Sequence, residues 1–425
     1  MTPTPFTTTP ASDRRVTDRL QKTSVRIQHE TESELQTLRA RPDYAPGYDY
    51  FLRLLEGGIH PDALEKRTGK TALNMFCVQA PLELIHAAGF LPFKIFSGSH
   101  AADALGATGR LPALVCPTLR AVQGMLRLVD TSENSLVRRP WVLPTTCDWI
   151  VKLPEMARLA REDFAPRLHW LELPHLKDSE SGRERWLAEI FNLKRFLEKV
   201  ADRKIDSKNL AASIAVYNRA WEAFTRLEER RREGAVPLVW FLVIANAFFL
   251  DAPERWSDAV NALIPLLKVK DCQRRVFFAG SPVFFPNFKI PHLIEEAGLT
   301  VVGDDLCSSG RIFPGVGKMR GTSAYELITA LAERYHQGCL CPTFADNDRR
   351  VNNILGQAGR DQKFDGVIFH VLKGCHPYDM ESCLLEAPIK TKGLKFLRLE
   401  TDYTAEDSRN LLTRIEAFQQ TLDIR

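Results

Sequence analysis

Short apolar runs recur along this chain, each closed by glycine, proline or cysteine and most followed by residues with helical spacing. Ala72 to Val78 is the first, Leu91 to Phe96 the second, Leu114 to Cys116 the third and Trp141 to Cys147 the fourth. Short apolar runs bounded by turn formers read as strands buried on both faces, the habit of parallel sheets. Pro81 suits the first turn of a helix that Gly89 ends, and Pro117-Thr118 opens another. Strand, turn and helix in alternation predict a parallel sheet with helices on both faces.

The period then changes. Trp186, Ile190, Leu193, Leu197 and Val200 step by three and four, as do Leu210, Ile214, Tyr217, Trp221 and Phe224, with Asp206-Ser207 as a cap between them. This predicts an amphipathic helical hairpin, a spacer between sheet domains. Val236 to Leu250, about fifteen residues with Asn246 inside, is too short for a membrane span of roughly twenty and reads as a buried helix. Arg275 opens a second alternation: strands at Val276 to Ala279, Leu299 to Val302, Val367 to Leu372 and Leu394 to Leu399, with helices at Ile290 to Ala297, Tyr325 to Tyr335 and Glu406 to Phe418. The expected fold class is α/β, two Rossmann-like parallel-sheet domains in series with a helical N-terminal arm and a helical hairpin insert. Residues 1–66 are read as a disordered Thr/Pro-rich tail and the arm, 67–265 as the first domain with the hairpin, and 266–425 as the second.

Composition narrows the partners. The 425 residues carry 57 basic and 53 acidic side chains, so the net charge of +4 is too slight and scattered for nucleic acid or an anionic membrane as the main partner. The N-terminus has no apolar segment of the secretory kind, which predicts a cytoplasmic protein. Its nine cysteines are then reduced core thiols, metal ligands or a nucleophile rather than a disulfide framework.

Cysteine placement favours ligands. Cys77, Cys116, Cys147, Cys307 and Cys375 each stand at or just past the end of an apolar run, and Cys341 lies in the interruption Gly338-Cys-Leu-Cys341-Pro. Ligands in open α/β sheets bind beyond the strands' carboxyl ends, so thiols there are offered to a site. Paired C-x-x-C arms for structural zinc are missing, Gly317-Lys318 has Ile312 where a P-loop needs glycine, and no G-x-G-x-x-G follows a strand. Widely spaced thiolates suit an iron–sulfur cluster, whose soft ligands come from distant loops.

The segments CVQAPLELIHAAGFLPF, LVCP, TTCDW, GSPVFFPNFKIPHLIEEAG, GDDLCSSGR, CPTF, DGVIFHVLKGCHPYDMES and LRLETDY with TRIEAF resemble the D-component family of 2-hydroxyacyl-CoA dehydratases and benzoyl-CoA reductases, from about Arg67 to Phe418. Within it, the extra cysteines and the GCHPYD turn most resemble the double-cubane cluster proteins. The resemblance implies that Cys77, Cys116 and Cys375 match the ligands of a single 4Fe-4S cubane, and Cys147, Cys307 and Cys341 the added ligands of a double cubane. It further implies a homodimer that takes low-potential electrons from an ATP-dependent iron–sulfur activator and reduces a small-molecule substrate at the cluster. ATP would be used by the activator alone. Two alternatives stay open: a dehydratase subunit removing water from a 2-hydroxyacyl-CoA beside a paralogous partner, and a non-catalytic electron-transfer protein.

Other polar residues have plainer readings. His376 and Tyr378 flank Cys375 and are candidates to orient it or donate a proton, with turn packing as the alternative. Glu83 and His86, one helical turn apart, are read as structural. Asp304-Asp305 and Glu400-Thr-Asp402 are read as turn and cap residues, and Cys272, Cys339 and Cys383 as buried inert thiols.

Overall fold

Two four-stranded, wholly parallel sheets carry the chain, and they share one strand order. The computed structural model describes residues 10–58, 60–108, 111–112, 114–129, 139–158, 167–269, 272, 274–315, 321–338, 340–359 and 364–422. The proline-threonine segment 1–9 lies outside the described residues. Helices α1 (Pro10–Arg39), α2 (Asp49–Glu56) and α3 (Pro61–Thr68) precede β1 (Ala72–Met75), α4 (Leu82–Ala87), β2 (Leu91–Lys94), α5 (His100–Ala107), α6 (Pro117–Val129), β3 (Trp141–Pro144), α7 (Asp148–Arg158) and β4 (Leu168–Leu171). The long pair α8 (Glu180–Ala201) and α9 (Ser207–Arg232) leads to α10 (Leu238–Ala247) and α11 (Pro253–Leu263). The second sheet unit is β5 (Arg275–Gly280), α12 (Lys289–Glu296), β6 (Thr300–Asp305), α13 (Ala324–Gly338), α14 (Asn347–Gly359), β7 (Gly366–Leu372), α15 (His376–Thr391), β8 (Lys395–Thr401) and α16 (Ser408–Leu422).

The sheets run β2-β1-β3-β4 and β6-β5-β7-β8. In each, the chain leaves the first strand to one side and returns on the other, so the strand order reverses between β1 and β3 and again between β5 and β7. The expected α/β class with two parallel sheets is therefore observed. Every residue of β7 is buried, which explains its unbroken apolar run. The α8–α9 hairpin is also present, with Asp206 capping α9 by accepting from the Asn209 amide at 2.8 Å.

Three expectations need correction. Leu114 to Cys116 is a turn and not a strand, because the apolar run is too short to pair and Pro117 already begins α6. Strand β4 and helix α14 are not marked by the apolar pattern: β4 keeps only Leu171 buried, and α14 carries a polar opening turn. The hairpin joins the two units more than it spaces them. Trp186 on α8 donates to the Ala332 carbonyl on α13 at 2.7 Å, and buried Arg231 on α9 pairs with Asp304 at the end of β6.

The N-terminal arm has the same double attachment. Glu30 of α1 accepts from the Ala101 amide at 2.9 Å in the first unit, while Glu34 meets His292 Nε2 at 2.8 Å in the second. An aromatic core of Trp221, Phe224, Phe248, Trp256 and Phe313 fills the space beneath them. Each such ring contributes roughly 1.5–3 kcal/mol by burial.

Three histidines make stability acid-sensitive. Burial depresses His86, His169 and His370 to about 4, because it penalises the charged imidazolium. Below the ordinary histidine range the unfolded chain binds protons that the folded chain refuses. Their contribution is thus complete above pH ~6.5 and is lost as pH falls toward about 4. The urea midpoint should decline across that window, and His370→Gln should reduce the slope; an unchanged slope in that variant would remove His370 from the account.

Candidate functional site

Both reversals of strand order carry cysteine. Cys77 lies just beyond β1 and Cys147 just beyond β3, the two strands that flank the reversal in the first sheet. Cys375 stands at the matching place beyond β7, and Cys307 follows β6. Cys116 immediately precedes α6, and buried Cys341 lies between α13 and α14. All described cysteines are free thiols.

Their mutual influence sorts these six into two groups. Burial, with Cys341 and Cys307 adding to it, pushes the Cys77 thiol up to about 12. A hydrogen bond with Cys116, then burial, raises Cys375 well above the usual thiol range. Cys147 is pushed up to about 11, by burial first and by Cys375 in addition. One group is thus Cys77, Cys307 and Cys341, and the other is Cys116, Cys147 and Cys375. Each draws thiols from both halves of the chain, so neither exists until the two units are docked. Of the three residues matched to a single cubane, Cys116 and Cys375 are bonded to each other, and Cys77 lies beside Cys307 and Cys341.

The surroundings of the two groups differ. Cys116, Cys147 and Cys375 all sit at helix starts: their carbonyls accept from the Arg120, Val151 and Asp379 amides at 3.1, 3.1 and 3.0 Å, opening α6, α7 and α15. Three helix N-termini therefore converge there, each with partial positive charge. Tyr403 packs with Cys375 and bonds Thr118 Oγ1 at 3.1 Å. Cys77, Cys307 and Cys341 lie instead in non-helical turns beside charged side chains. Lys94, the last residue of β2, donates from Nζ to the Cys307 carbonyl and lies against the rings of Phe96, Phe249 and Phe284. Arg311 donates to the Leu340 carbonyl at 3.1 Å and to the Tyr378 hydroxyl, and stands 3.4 Å from Asp305. Asp305 also pairs with Arg350, which Glu381 holds from its other side.

The other candidate residues divide clearly. Tyr378 is buried near Cys307 and Cys341, and its backbone amide bonds the Cys375 thiol; burial is the main reason its phenol is raised well above its usual range. His376 is exposed, its ring 6.4 Å from that of Trp149. Glu83 is a buried structural acid, accepting from Arg334 at 2.9 Å, Tyr335 at 2.8 Å and Trp221 at 3.3 Å. His86 lies 3.0 Å from Ser213 Oγ. Asp304 accepts from the Leu306 and Gly310 amides at 2.9 and 3.0 Å, as a turn cap does. Asp402 likewise caps Thr404 and pairs with Lys373. The reading of Cys272 and Cys383 as buried is corrected: Cys272 is half-buried and Cys383 is exposed on α15, while Cys339 lies outside the described residues. Lys94 and Arg311 are not among the residues that sequence reasoning singles out, although a lysine inside the apolar run LPFKIF is a visible signal.

Among the described residues no three His, Cys, Asp or Glu side chains gather closely enough to hold a single metal ion. Six thiols in two groups are soft donors, the kind that iron–sulfur clusters take one per iron. No helix among the described residues is long and apolar enough to cross a membrane.

The chain belongs to the family described as 2-hydroxyglutaryl-CoA dehydratase, D-component, whose model matches residues 77–422. Among its relatives, a putative dehydratase subunit YjiM of Escherichia coli (strain K12) is 26% identical over 88% of this chain and 97% of its own. The (R)-phenyllactyl-CoA dehydratase beta subunit of Clostridium sporogenes is 22% identical over 84% and 93%, and a subunit of the benzoyl-CoA reductase of Thauera aromatica 25% over 73% and 79%. These relatives are named as parts of dehydratases and a reductase, and the chain has an enzymatic role in that family.

A glycine fixes one close approach between the units. Gly374, at φ +76°, precedes Cys375, and a Cβ there would overlap the Leu114 carbonyl oxygen and stand 3.3 Å from the Cys116 nitrogen. Gly374→Ala should cost about 1–2 kcal/mol from the left-handed backbone alone, with the overlap added. The denaturant midpoint should fall, and the coupling of Cys116 to Cys375 should weaken, read as faster labelling of the two thiols under native conditions. Wild-type values for both would show that the turn has room to relax.

Proposed function

We propose that the six cysteines hold an iron–sulfur cluster of the double-cubane type, three thiolates to each half, in a reductase that receives electrons from an ATP-dependent activator. The observation that carries this reading is the grouping of Cys77, Cys307 and Cys341 beside Cys116, Cys147 and Cys375, with every group drawn from both sheet units. Crowded buried thiols raise one another, so they ionise together only where strong positive charge enters the site. Such a cluster supplies one-electron reduction at low potential.

The chain's own residues have definable parts in this reading. The α6, α7 and α15 N-termini stabilise the Cys116, Cys147 and Cys375 thiolates. Arg311 orients the Tyr378 hydroxyl, and burial keeps the proton on that oxygen near neutral pH, available to a reduced small-molecule substrate. Bulky aromatic side chains around Lys94 keep water from the Cys307 side. The energy for an uphill transfer comes from the partner, since the chain has no phosphate-binding loop. A homodimer accords with one chain holding the whole ligand set.

The relatives' names favour a second reading, a subunit that removes water from a 2-hydroxyacyl-CoA beside a paralogous partner. Iron and acid-labile sulfide on anaerobically purified protein separate the two. The double-cubane reading expects about eight irons per chain, falling by roughly half in Cys307→Ser. About four irons, unchanged in Cys307→Ser, with measurable affinity for coenzyme A, would establish the dehydratase reading in its place.

A further inference from the structure

At three of the six cysteines a polar side chain meets the sulfur, and these partners are of two kinds. Thr343 Oγ1 lies 3.2 Å from Cys341 Sγ. The Ser281 hydroxyl accepts from the Leu372 amide at 3.0 Å, which leaves its hydrogen for Cys375. At Cys77 the partner is a carboxamide: Sγ donates to Gln79 Oε1 at 3.3 Å. Cys77-Val-Gln79 and Cys341-Pro-Thr343 are built alike, since in both the residue two places on gives the sulfur its backbone amide as well as its side chain. Gln79 differs in one respect. It is fully buried, and its Nε2 has no hydrogen-bond partner.

A buried donor without an acceptor calls for a physical reason. A hydroxyl serves a protonated and a metal-bound sulfur equally, because it reverses its role by turning one hydrogen. A carboxamide cannot do so, as one end only accepts and the other only donates. While Cys77 carries its hydrogen, Oε1 takes it and Nε2 is left over. A sulfur bonded to iron has no hydrogen to give, the thiol proton being released to water. Both ends of the carboxamide would then be unpaired, with a partial negative oxygen set against a thiolate. Half a turn about the terminal side-chain bond, a soft and nearly two-fold rotation, exchanges the two ends within the same volume. It aims Nε2–H at the sulfur and relieves the repulsion.

Resting on the cluster reading above, we propose that Gln79 is a positioning residue for Cys77: it turns its carboxamide when the sulfur takes iron, donates Nε2–H to the bound thiolate, and so raises the reduction potential of the half held by Cys77, Cys307 and Cys341. Reduction by one electron from the external donor adds negative charge to the cluster and its sulfurs, and a hydrogen bond to a more negative acceptor is stronger. Gln79 therefore favours the reduced state. With its backbone amide already directed at Cys77, it gives that sulfur two N–H donors.

The test uses full-length protein, purified anaerobically and labelled with 15N only in glutamine carboxamides, beside Gln79→Met and Gln79→Glu, with iron counted in each. Electron–nuclear double resonance on the one-electron-reduced wild type should show a carboxamide nitrogen coupled to the cluster spin, and Gln79→Met should lose it. With iron retained, Gln79→Met, close in length but without an N–H, should shift the first reduction equilibrium about tenfold toward the oxidised state, which is about 59 mV for one electron. Gln79→Glu, which sets an oxygen at each end, should hold less iron than Gln79→Met. Absence of carboxamide coupling in the reduced wild type overturns the proposal whatever the variants do, as does an unchanged potential in iron-loaded Gln79→Met. Iron lost equally from both variants would make Gln79 a packing residue and overturn it too. Wild-type protein that binds no iron would instead remove the cluster reading itself.

Discussion

Everything about the site depends on the docking of two parallel-sheet units along a seam, because no cysteine group is complete within either one. A parallel sheet delivers its loops at one edge, and the reversal of strand order opens a crevice there. One such crevice presents Cys77 and Cys147, the other Cys375. Docking brings them together and adds Cys116, Cys307 and Cys341 from intervening turns. The close approach of Gly374 to the Leu114 carbonyl, and of Gly98 to Phe284 and Asn287, shows backbones in direct contact across the seam. Side chains larger than glycine would hold the cysteine loops apart.

What keeps the seam in register is mostly buried polar pairing. Glu83 on α4 meets Arg334 and Tyr335 on α13, Arg231 on α9 meets Asp304 on β6, and α1 reaches both units through Glu30 and Glu34. A buried ion pair adds little over apolar packing, but removing one partner costs about 3–5 kcal/mol. The same asymmetry penalises any displaced docking that would leave these charges unpaired. Aromatic packing of Trp221, Phe224, Phe248 and Phe313 supplies the non-specific attraction, and the ion pairs choose among arrangements.

Much of this was legible in the chain, for reasons that are local. Strands buried on both faces leave unbroken apolar runs, so β5 and β7 could be read directly, and a cysteine just past such a run is at a carboxyl edge whatever the details of the fold. Leu114 to Cys116 misled because three apolar residues before a proline look the same whether they pair with a strand or close a turn. Strand β4 and helix α14 were hidden because each is partly exposed and lacks the periodicity that burial imposes. The assortment of cysteines into two groups was not legible at all. It depends on which loops meet across the seam.

The repeated strand order makes the difference between the groups informative. Cys147 and Cys375 occupy equivalent places, each three residues past the third strand of its sheet and each accepting the first hydrogen bond of a following helix. They belong to one group, and both stand at helix starts. The other group is asymmetric: Cys77 follows a first strand and Cys307 a second, and the ends of the matching strands β2 and β6 carry opposite charges, Lys94 and Asp305. Where a fold repeats a unit, geometry common to both halves needs no side-chain charge to define it. The two groups differ less in their thiols than in their surroundings, helix starts around Cys116, Cys147 and Cys375 and irregular turns around the other three.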